Sequence, residues 1–220
     1  MKRDFLIVAI DGGAASGKST TARALSEHLN LMHVDTGSHY RAVSLALLEA
    51  GVDAFDKEVG QALEGLQCDT EVTGKQGFIK LNSRLFNKME LRSEQVNGNV
   101  SRFAAQPLVR KMLLDYQRFQ PKVAHEFGFG GLVMEGRDIG SVIFPDADVK
   151  VFLQADEHER ERRRAAEGQQ DCIRKRDEMD KGRKTAPLAC PEGAVVIDTG
   201  KLNVEEVVEQ VTGLVREIRS

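Results

Sequence analysis

The chain has 220 residues and a formal net charge of −3 at pH 7. This length suits one α/β domain with a substantial core and inserted subdomains. A charge balance so close to neutrality argues against a surface that binds nucleic acid over the whole protein. Continuous apolar runs fall well short of the roughly 18 residues that a membrane-spanning helix needs, so we expect no membrane partner.

The cysteines and the N-terminus bear on the cellular compartment. Cys68, Cys172 and Cys190 are widely spaced and include no C-x-x-C pair, a pattern that fits neither a disulfide framework nor a zinc site. The N-terminus is basic and then apolar like a signal peptide, but its apolar run ends in Asp11 and a glycine-rich loop. We therefore expect a cytoplasmic protein.

The first predicted elements are a strand over Phe5 to Ile10 and a phosphate-binding loop directly after it, which matches the pattern G-x-x-x-x-G-K-[ST]. Small residues let successive backbone N–H groups surround a phosphate at the positive end of the following helix. The predicted loop comprises Gly12, Gly13, Ala14, Ala15, Ser16, Gly17, Lys18, Ser19 and Thr20. We expect Lys18 to reach the β- and γ-phosphates of a nucleoside triphosphate, and Ser19 to offer its hydroxyl to a phosphate-bound Mg²⁺.

Strands and helices then alternate. A strand over 31–34 leads to the turn Asp35-Thr36-Gly37 and a helix. The predicted buried stripe of this helix comprises Tyr40, Val43, Leu47 and Ala50. The residues between Cys68 and Phe86 show a different pattern, which predicts a β-hairpin and has the character of an insertion.

A long helix begins at Pro107, and its predicted stripe comprises Leu108, Met112, Tyr116, Phe119 and Val123. Strands over 132–135, 149–153 and 194–197 follow, with an arginine-rich pair of helices before the last of them. Asn203 and Glu206 form a capping-box pattern for the final helix. Five short apolar strands separated by helices predict a parallel sheet with helices on both sides, which binds ligands at the carboxyl ends of its strands.

The arginine-rich segment from Arg160 to Lys184 carries ten Lys or Arg residues against six acidic ones. Solvated helices with i,i+4 ion pairs are one interpretation, and taken alone the stronger one. The phosphate loop elsewhere in the chain favours the other interpretation, in which an anion docks here.

Three motifs lie at predicted strand ends or in the arginine-rich segment: Asp35-Thr36-Gly37 with Tyr40-Arg41, Glu135-Gly136-Arg137-Asp138-Ile139-Gly140, and Arg176-Asp177-x-x-Asp180-x-x-Arg183. With these motifs, and with the segments 142–148 and 196–199, the chain resembles the cytidylate kinase family in order and spacing over nearly its whole length. The resemblance implies phosphoryl transfer from ATP to CMP or dCMP.

The resemblance also implies roles for single residues. Arg41, Arg137 and Arg183 are expected to gather the CMP phosphate around the transferring group at Lys18, since guanidinium groups suit phosphate. Thr36, Arg110 and Asp138 are expected to read cytosine, whose N4 amino group donates and whose N3 and O2 accept. Tyr40 belongs to the same substrate site, and Ser101, Arg176 and Asp180 match positions that hold the ribose.

We therefore expect a P-loop NTPase-type α/β fold with a five-stranded parallel sheet. Segments 1–36, 105–156 and 186–220 form the predicted core, 37–104 a region that binds the monophosphate, and 157–185 a lid. Only eight residues, 165–172, lie between Arg164 and Ile173, fewer than the resembled family usually has there.

The predicted enzyme is a monomer that uses ATP with Mg²⁺, takes CMP or dCMP, and has no nucleic-acid partner. One alternative is a kinase for another small anionic acceptor. A second alternative, from another class, is a nucleotide-dependent RNA-binding or regulatory protein that uses the basic stretch 160–184. Salt-sensitive RNA binding without turnover of any nucleoside monophosphate would favour the second alternative.

Overall fold

The computed structural model of the protein describes residues 5–166, 173–183 and 185–219. Its strands are β1 (Leu6–Gly12), β2 (Met32–Asp35), β3 (Cys68–Thr73), β4 (Gln76–Leu81), β5 (Arg84–Leu85), β6 (Gly131–Gly136), β7 (Val149–Gln154) and β8 (Val195–Asp198). Its helices are α1 (Lys18–Leu29), α2 (Thr36–Glu49), α3 (Val59–Glu64), α4 (Lys88–Leu91), α5 (Glu94–Ala104), α6 (Pro107–Glu126), α7 (Glu157–Ala166), α8 (Ile173–Lys181) and α9 (Val204–Arg219). A π-helical turn spans Ile139–Ile143.

The five predicted parallel strands are confirmed, and they lie in the order β2-β6-β1-β7-β8. The central strand β1 pairs with β6 on one side and β7 on the other, so that Val8 lies beside both Val133 and Val149. Residues 8–11 of this strand are fully buried. A strand covered on both faces needs apolar side chains in both directions, which explains the continuous apolar run.

The predicted hairpin is also confirmed, but the sheet is longer than five strands. Strands β3 and β4 pair antiparallel, and β4 adds to β2 in parallel where His33 lies beside Gln76 and Val34 beside Gly77. With the short β5 on β4, the described residues form an eight-stranded sheet. The addition covers the edge of β2, whose backbone groups would otherwise lack partners on that side.

Helices lie on both faces of the sheet, as predicted. One face packs against α1 and α9 through Leu25, Val207 and Val211. The opposite face packs against α6 and the π-helical turn through Ala124 and Ile139. A further apolar cluster joins α2, α3, α5 and α6 to the hairpin.

The predicted stripe of α6 is wrong by one position for most of its length. Leu108 and Phe119 are about half exposed, at 51% and 48%. The buried face instead comprises Val109, Arg110, Leu113, Gln117, Gln120, Val123 and Ala124. Three of these residues are polar, and Gln120 bonds to the Thr70 hydroxyl of the hairpin. Hydrophobic periodicity cannot identify a face whose polar groups find partners only in the folded protein.

The capping box at the last helix is confirmed, since Asn203 N donates to Glu206 Oε2 and Glu206 N donates to Asn203 Oδ1. The predicted stripe of α2 holds for Tyr40, Val43 and Leu47, whereas Ala50 lies beyond the helix and is exposed. Within the described ranges, we find no helix with the length and apolar character that crossing a membrane requires.

Candidate active site

The phosphate loop leaves the carboxyl end of β1 and enters α1 at Lys18. Gly12 is required there, because a Cβ at this position would come within 2.2 Å of the Leu153 carbonyl oxygen. Gly17 has φ +89° and Ala15 has φ +56°, so two left-handed residues curl the loop. The ammonium of Lys18 donates to the carbonyl of Gly13 at 2.7 Å.

Lys18 is 7% exposed and lies close to several charged groups. Burial, followed by the charge of Arg137, lowers the pKa of Lys18 to about 7. The carboxylate of Glu135 acts in the opposite direction. The Lys18 ammonium is therefore weakly solvated, and an anion bound in the loop would interact with it with little screening by water.

Two clefts open beside the loop and share Lys18 and Ser19. The first is lined by most of the predicted site residues, which are Ala14, Ala15, Lys18, Ser19, Thr36, Tyr40, Arg41, Ser101, Arg137, Asp138, Asp180 and Arg183. The second is lined by residues 15–21 of the loop and of α1, by Arg163 of α7, and by Thr199 and Asn203 ahead of α9. The loop thus lies between two clefts, and Lys18 and Ser19 line both of them.

The predicted phosphate-binding arginines meet in the first cleft. Asp180 on α8 accepts from Arg137 Nε at 2.9 Å and also pairs with Arg183. Arg41 on α2 donates to the Leu91 carbonyl and to Asn97 Oδ1. Hydrogen bonds of this kind orient a guanidinium group before a ligand arrives, which lowers the entropy cost of binding.

The predicted base-reading residues are also close to one another. Arg110 on α6 pairs with the carboxylate of Asp138, and its guanidinium lies 5.5 Å from the centre of the Tyr40 ring. Burial raises the pKa of Asp138, and the charge of Arg110 opposes this shift. The Thr36 hydroxyl donates to the Glu135 carbonyl at 2.8 Å.

Glu135 lies within one of the three sequence motifs, but no role is predicted for it from the sequence. Its carboxylate accepts from the Ser19 hydroxyl at 2.8 Å and lies 2.9 Å from His33 Nε2. Burial acts to raise the pKa of Glu135, but its hydrogen bond to His33 and the nearby charges lower it overall. The signal for this residue was its place at the carboxyl end of the strand beside β1, because neighbouring parallel strands end at the same edge.

Arg176 carries a predicted ribose contact, but its side chain lies outside the described residues. Other arginines of the basic stretch support both interpretations, and Arg163 fits each of them. Arg162 and Arg163 pair with Glu159, and Arg174 pairs with Glu178, as in a solvated helix. Those that line the clefts are Arg163, Arg164 and Arg183.

Asp11 at the end of β1 holds the segment that carries Asp138. Its carboxylate accepts from the backbone N–H groups of Ile139 and Gly140, both at 2.7 Å. These bonds hold the π-helical turn, which begins directly after Asp138, against β1. Irregular helical turns of this kind often occur at functional sites.

Asp11 should make stability depend on pH. Burial raises the pKa of Asp11 from 3.8 to about 6, so between these values the folded state binds more protons than the unfolded chain. We expect wild-type protein to lose roughly 2 kcal/mol of unfolding free energy relative to Asp11→Asn as the pH rises from 4 to 6. Urea unfolding at several pH values measures this difference, with Asp146→Asn at an exposed site as the control. A difference between wild type and Asp11→Asn that stays constant with pH would contradict the assignment.

The sequence profile of a protein family described as cytidylate kinase matches residues 8–217. The chain belongs to the cytidylate kinase family. The predicted activity class, an ATP-dependent phosphotransferase, is confirmed by this membership.

Individual cytidylate kinases match nearly the whole chain. One from Geobacillus kaustophilus is 41% identical over 231 aligned positions, which cover 99% of each protein. One from Geobacter sulfurreducens is 40% identical over 98% of this chain and 94% of its own. One from Chloroherpeton thalassium is 39% identical over 98% and 95%. The similarity to the family therefore extends over nearly the whole chain and is not limited to the phosphate loop.

Proposed function

We propose that the protein transfers the γ-phosphate of ATP to CMP or dCMP, giving ADP and CDP or dCDP. The observation that carries this proposal is the meeting, in one cleft, of the phosphate loop with three arginines and with Asp138, which pairs with Arg110 behind it. Phosphoryl transfer depends mainly on positioning and charge neutralisation, and this cleft supplies both.

The donor nucleotide belongs to the loop and the second cleft. Backbone N–H groups of residues 15–19 would hold the phosphates of ATP, and Lys18 would follow the migrating phosphoryl group. The second cleft, between Arg163 and Asn203, has room for the nucleoside beyond these phosphates.

The acceptor belongs to the first cleft. Its phosphate would lie among Arg41, Arg137 and Arg183, in line with the transferring group. Its ribose would lie at Ser101 and Asp180, which supports acceptance of both CMP and dCMP. Arg176 stays a predicted ribose contact.

The base would be read by Asp138 and Arg110, with Thr36 beside them. A carboxylate that faces the N4 amino group and a guanidinium that faces N3 and O2 match cytosine. Uracil reverses the donor and acceptor at positions 4 and 3, which would leave both groups mispaired. Buried polar groups without partners carry a large energetic penalty.

Mg²⁺ is the cofactor that this site suits. Magnesium prefers oxygen ligands and takes only one or two from a protein while it binds phosphates. The Ser19 hydroxyl and the Glu135 carboxylate, 2.8 Å apart, offer such oxygens beside the loop. The ion would neutralise charge on the triphosphate during transfer. Lys18 and the three arginines would supply the remaining positive charge.

A coupled assay of ADP release across all nucleoside monophosphates tests the proposal. We expect turnover with CMP and dCMP to exceed turnover with AMP, GMP and UMP. Preference for a different small anionic acceptor would favour the first alternative. Absence of turnover together with salt-sensitive RNA binding would favour a regulatory RNA-binding protein.

The short lid leads to a further prediction. Lids exclude water from the γ-phosphate, and a shorter one should cover the site less completely. We expect the ratio of ATP hydrolysis without CMP to CMP-dependent transfer to be higher here than in a family member with a long lid. Steady-state ADP release with ATP alone and with saturating CMP, measured side by side, gives this ratio. An equal or lower ratio would mean that Arg162, Arg163 and Arg174 close the site from shorter helices.

The segment boundaries, a cytoplasmic location, a monomeric state and the lack of a nucleic-acid partner stay part of the proposal. The apolar cluster of α2, α3, α5 and the hairpin supports a monophosphate-binding region over 37–104 that packs on α6 of the core. The lid over 157–185 also stays a proposal, and the ion pairs within α7 and within α8 support solvated helices there rather than an RNA-binding surface.

A further inference from the structure

Helix α8 directs two carboxylates, three residues apart, toward different parts of the site. Asp180 holds Arg137 and Arg183 in the first cleft. Asp177 instead reaches the phosphate loop, where its Oδ1 accepts from the backbone N–H of Ala14 at 3.0 Å. Residues three apart lie on one face of a helix, so a single face of α8 contacts both halves of the site.

Arg160 on α7 completes the contact with the loop. Its Nη1 donates to Asp177 Oδ2 and also to the Ala14 carbonyl at 3.1 Å, while its Nε donates to the Ala155 carbonyl at 3.1 Å. The side chains of Asp177 and Arg160 are only 8% and 14% exposed. Solvent therefore screens this ion pair much less than the surface pairs of the same two helices.

Asp177 and Lys18 bind the same peptide group of the loop, which joins Gly13 to Ala14. The N–H of the Gly13–Ala14 peptide donates to Asp177, and the carbonyl of the same peptide accepts from Lys18 Nζ at 2.7 Å. Both polar ends of this peptide are therefore held by side chains. Rotation of the peptide would break both bonds together.

Gly13 leaves room for this arrangement. A Cβ at position 13 would lie 2.8 Å from Arg160 Nη1 and 2.8 Å from Asp177 Oδ2. A larger residue would thus push the Arg160–Asp177 pair away from the loop. The glycine makes the loop flexible at this point, and the ion pair removes that flexibility.

We propose that Asp177, held by Arg160, is a positioning residue for phosphoryl transfer. It fixes the Gly13–Ala14 peptide and, through it, the ammonium of Lys18. Because Asp177 and Arg160 both lie on the predicted lid, the geometry of the loop depends on the docking of these helices. The inference rests on the proposed binding of ATP by the loop.

Kinetics of Asp177→Ala and Asp177→Asn test the role. We expect Asp177→Ala to lower kcat/KM for ATP roughly tenfold or more, because a charged acceptor of a buried N–H is lost. The KM for CMP should change by less than about twofold, because the acceptor side keeps Asp180. Asp177→Asn should recover part of the loss, since its Oδ1 can still accept from Ala14 N–H.

Glu178→Ala is the matched control, since Glu178 lies next in sequence on α8, is exposed and pairs with Arg174 of the same helix. It should match wild type in both constants. A double-mutant cycle of Asp177→Asn with Arg160→Met should show losses that do not add, because the two side chains act as a unit. If Asp177→Ala fails to fold, the kinetics of Asp177→Asn and the double-mutant cycle still test the positioning role.

Unchanged kcat/KM for ATP in Asp177→Ala, or equal losses for ATP and CMP, would overturn the positioning role. Calorimetric binding of the β,γ-imido analogue of ATP separates this from failure of the proposed function. Wild type that binds the analogue while Asp177→Ala binds it more weakly supports the role. Wild type that neither binds the analogue nor phosphorylates CMP would overturn the proposed function itself, and the inference with it.

Discussion

Replacing Lys18 with alanine should lower kcat by roughly 10²-fold or more. The ammonium is buried beside Gly13 O and Glu135, where it would follow the migrating phosphoryl group. In a site with little solvent, no water can replace that charge at the moment of transfer. Steady-state turnover of CMP at saturating ATP measures the effect.

The fold should tolerate the change, because the burial of Lys18 is already unfavourable to its charged form. The urea midpoint of Lys18→Ala should therefore stay close to that of wild type. Lys122→Ala, at an exposed position on α6, is the control for loss of a lysine. Wild-type turnover by purified Lys18→Ala would show that the proposed role of Lys18 is wrong.

Replacing Asp138 with asparagine should reduce kcat/KM for CMP far more than for UMP. Only cytosine presents an amino donor to this carboxylate, and asparagine would accept from that donor with one neutral oxygen instead of a charged carboxylate. A buried polar site built for one partner can discriminate by as much as roughly 10⁴-fold. The preference for CMP over UMP should therefore fall by a large factor in the variant. The measurement is the ratio of kcat/KM for CMP to that for UMP, in the variant and in wild type.

The ratio is the correct readout because Asp138 also neutralises Arg110. Removing the carboxylate leaves the Arg110 guanidinium, 8% exposed, without its ion-pair partner, and this loss affects both substrates. A loss of stability therefore cancels in the ratio. Equal losses for CMP and UMP would show that Asp138 acts on Arg110 or the phosphate site instead of the base.

The contact between Asp11 and the π-helical turn shows what a local sequence pattern can and cannot predict. The strand, the loop and Asp11 are adjacent in sequence, so their order predicts the start of the site. The partners of Asp11 at Ile139 and Gly140 lie more than 120 residues away. No periodicity in either segment indicates that they meet.

The same limit explains the error on α6. Several of its faces carry apolar residues, and the sequence pattern favoured Leu108 and Phe119 over the face that is buried. The buried face of α6 is set by Arg110 and Gln120, which bond to partners on the loop after β6 and on the hairpin. Burial of a polar group depends on its partner, and the partner is set by tertiary structure.

The sequence by itself determined the phosphate loop, the five parallel strands, the capping box at Asn203 and the candidate residues for two substrates, because each depends on spacing within a short segment or on motifs in a fixed order. Only the tertiary structure decided that β4 extends the sheet, that Glu135 lies beside Ser19, and that Asp177 contacts the loop. These contacts join residues 43 to 163 positions apart, and their energy exists only once the chain has folded.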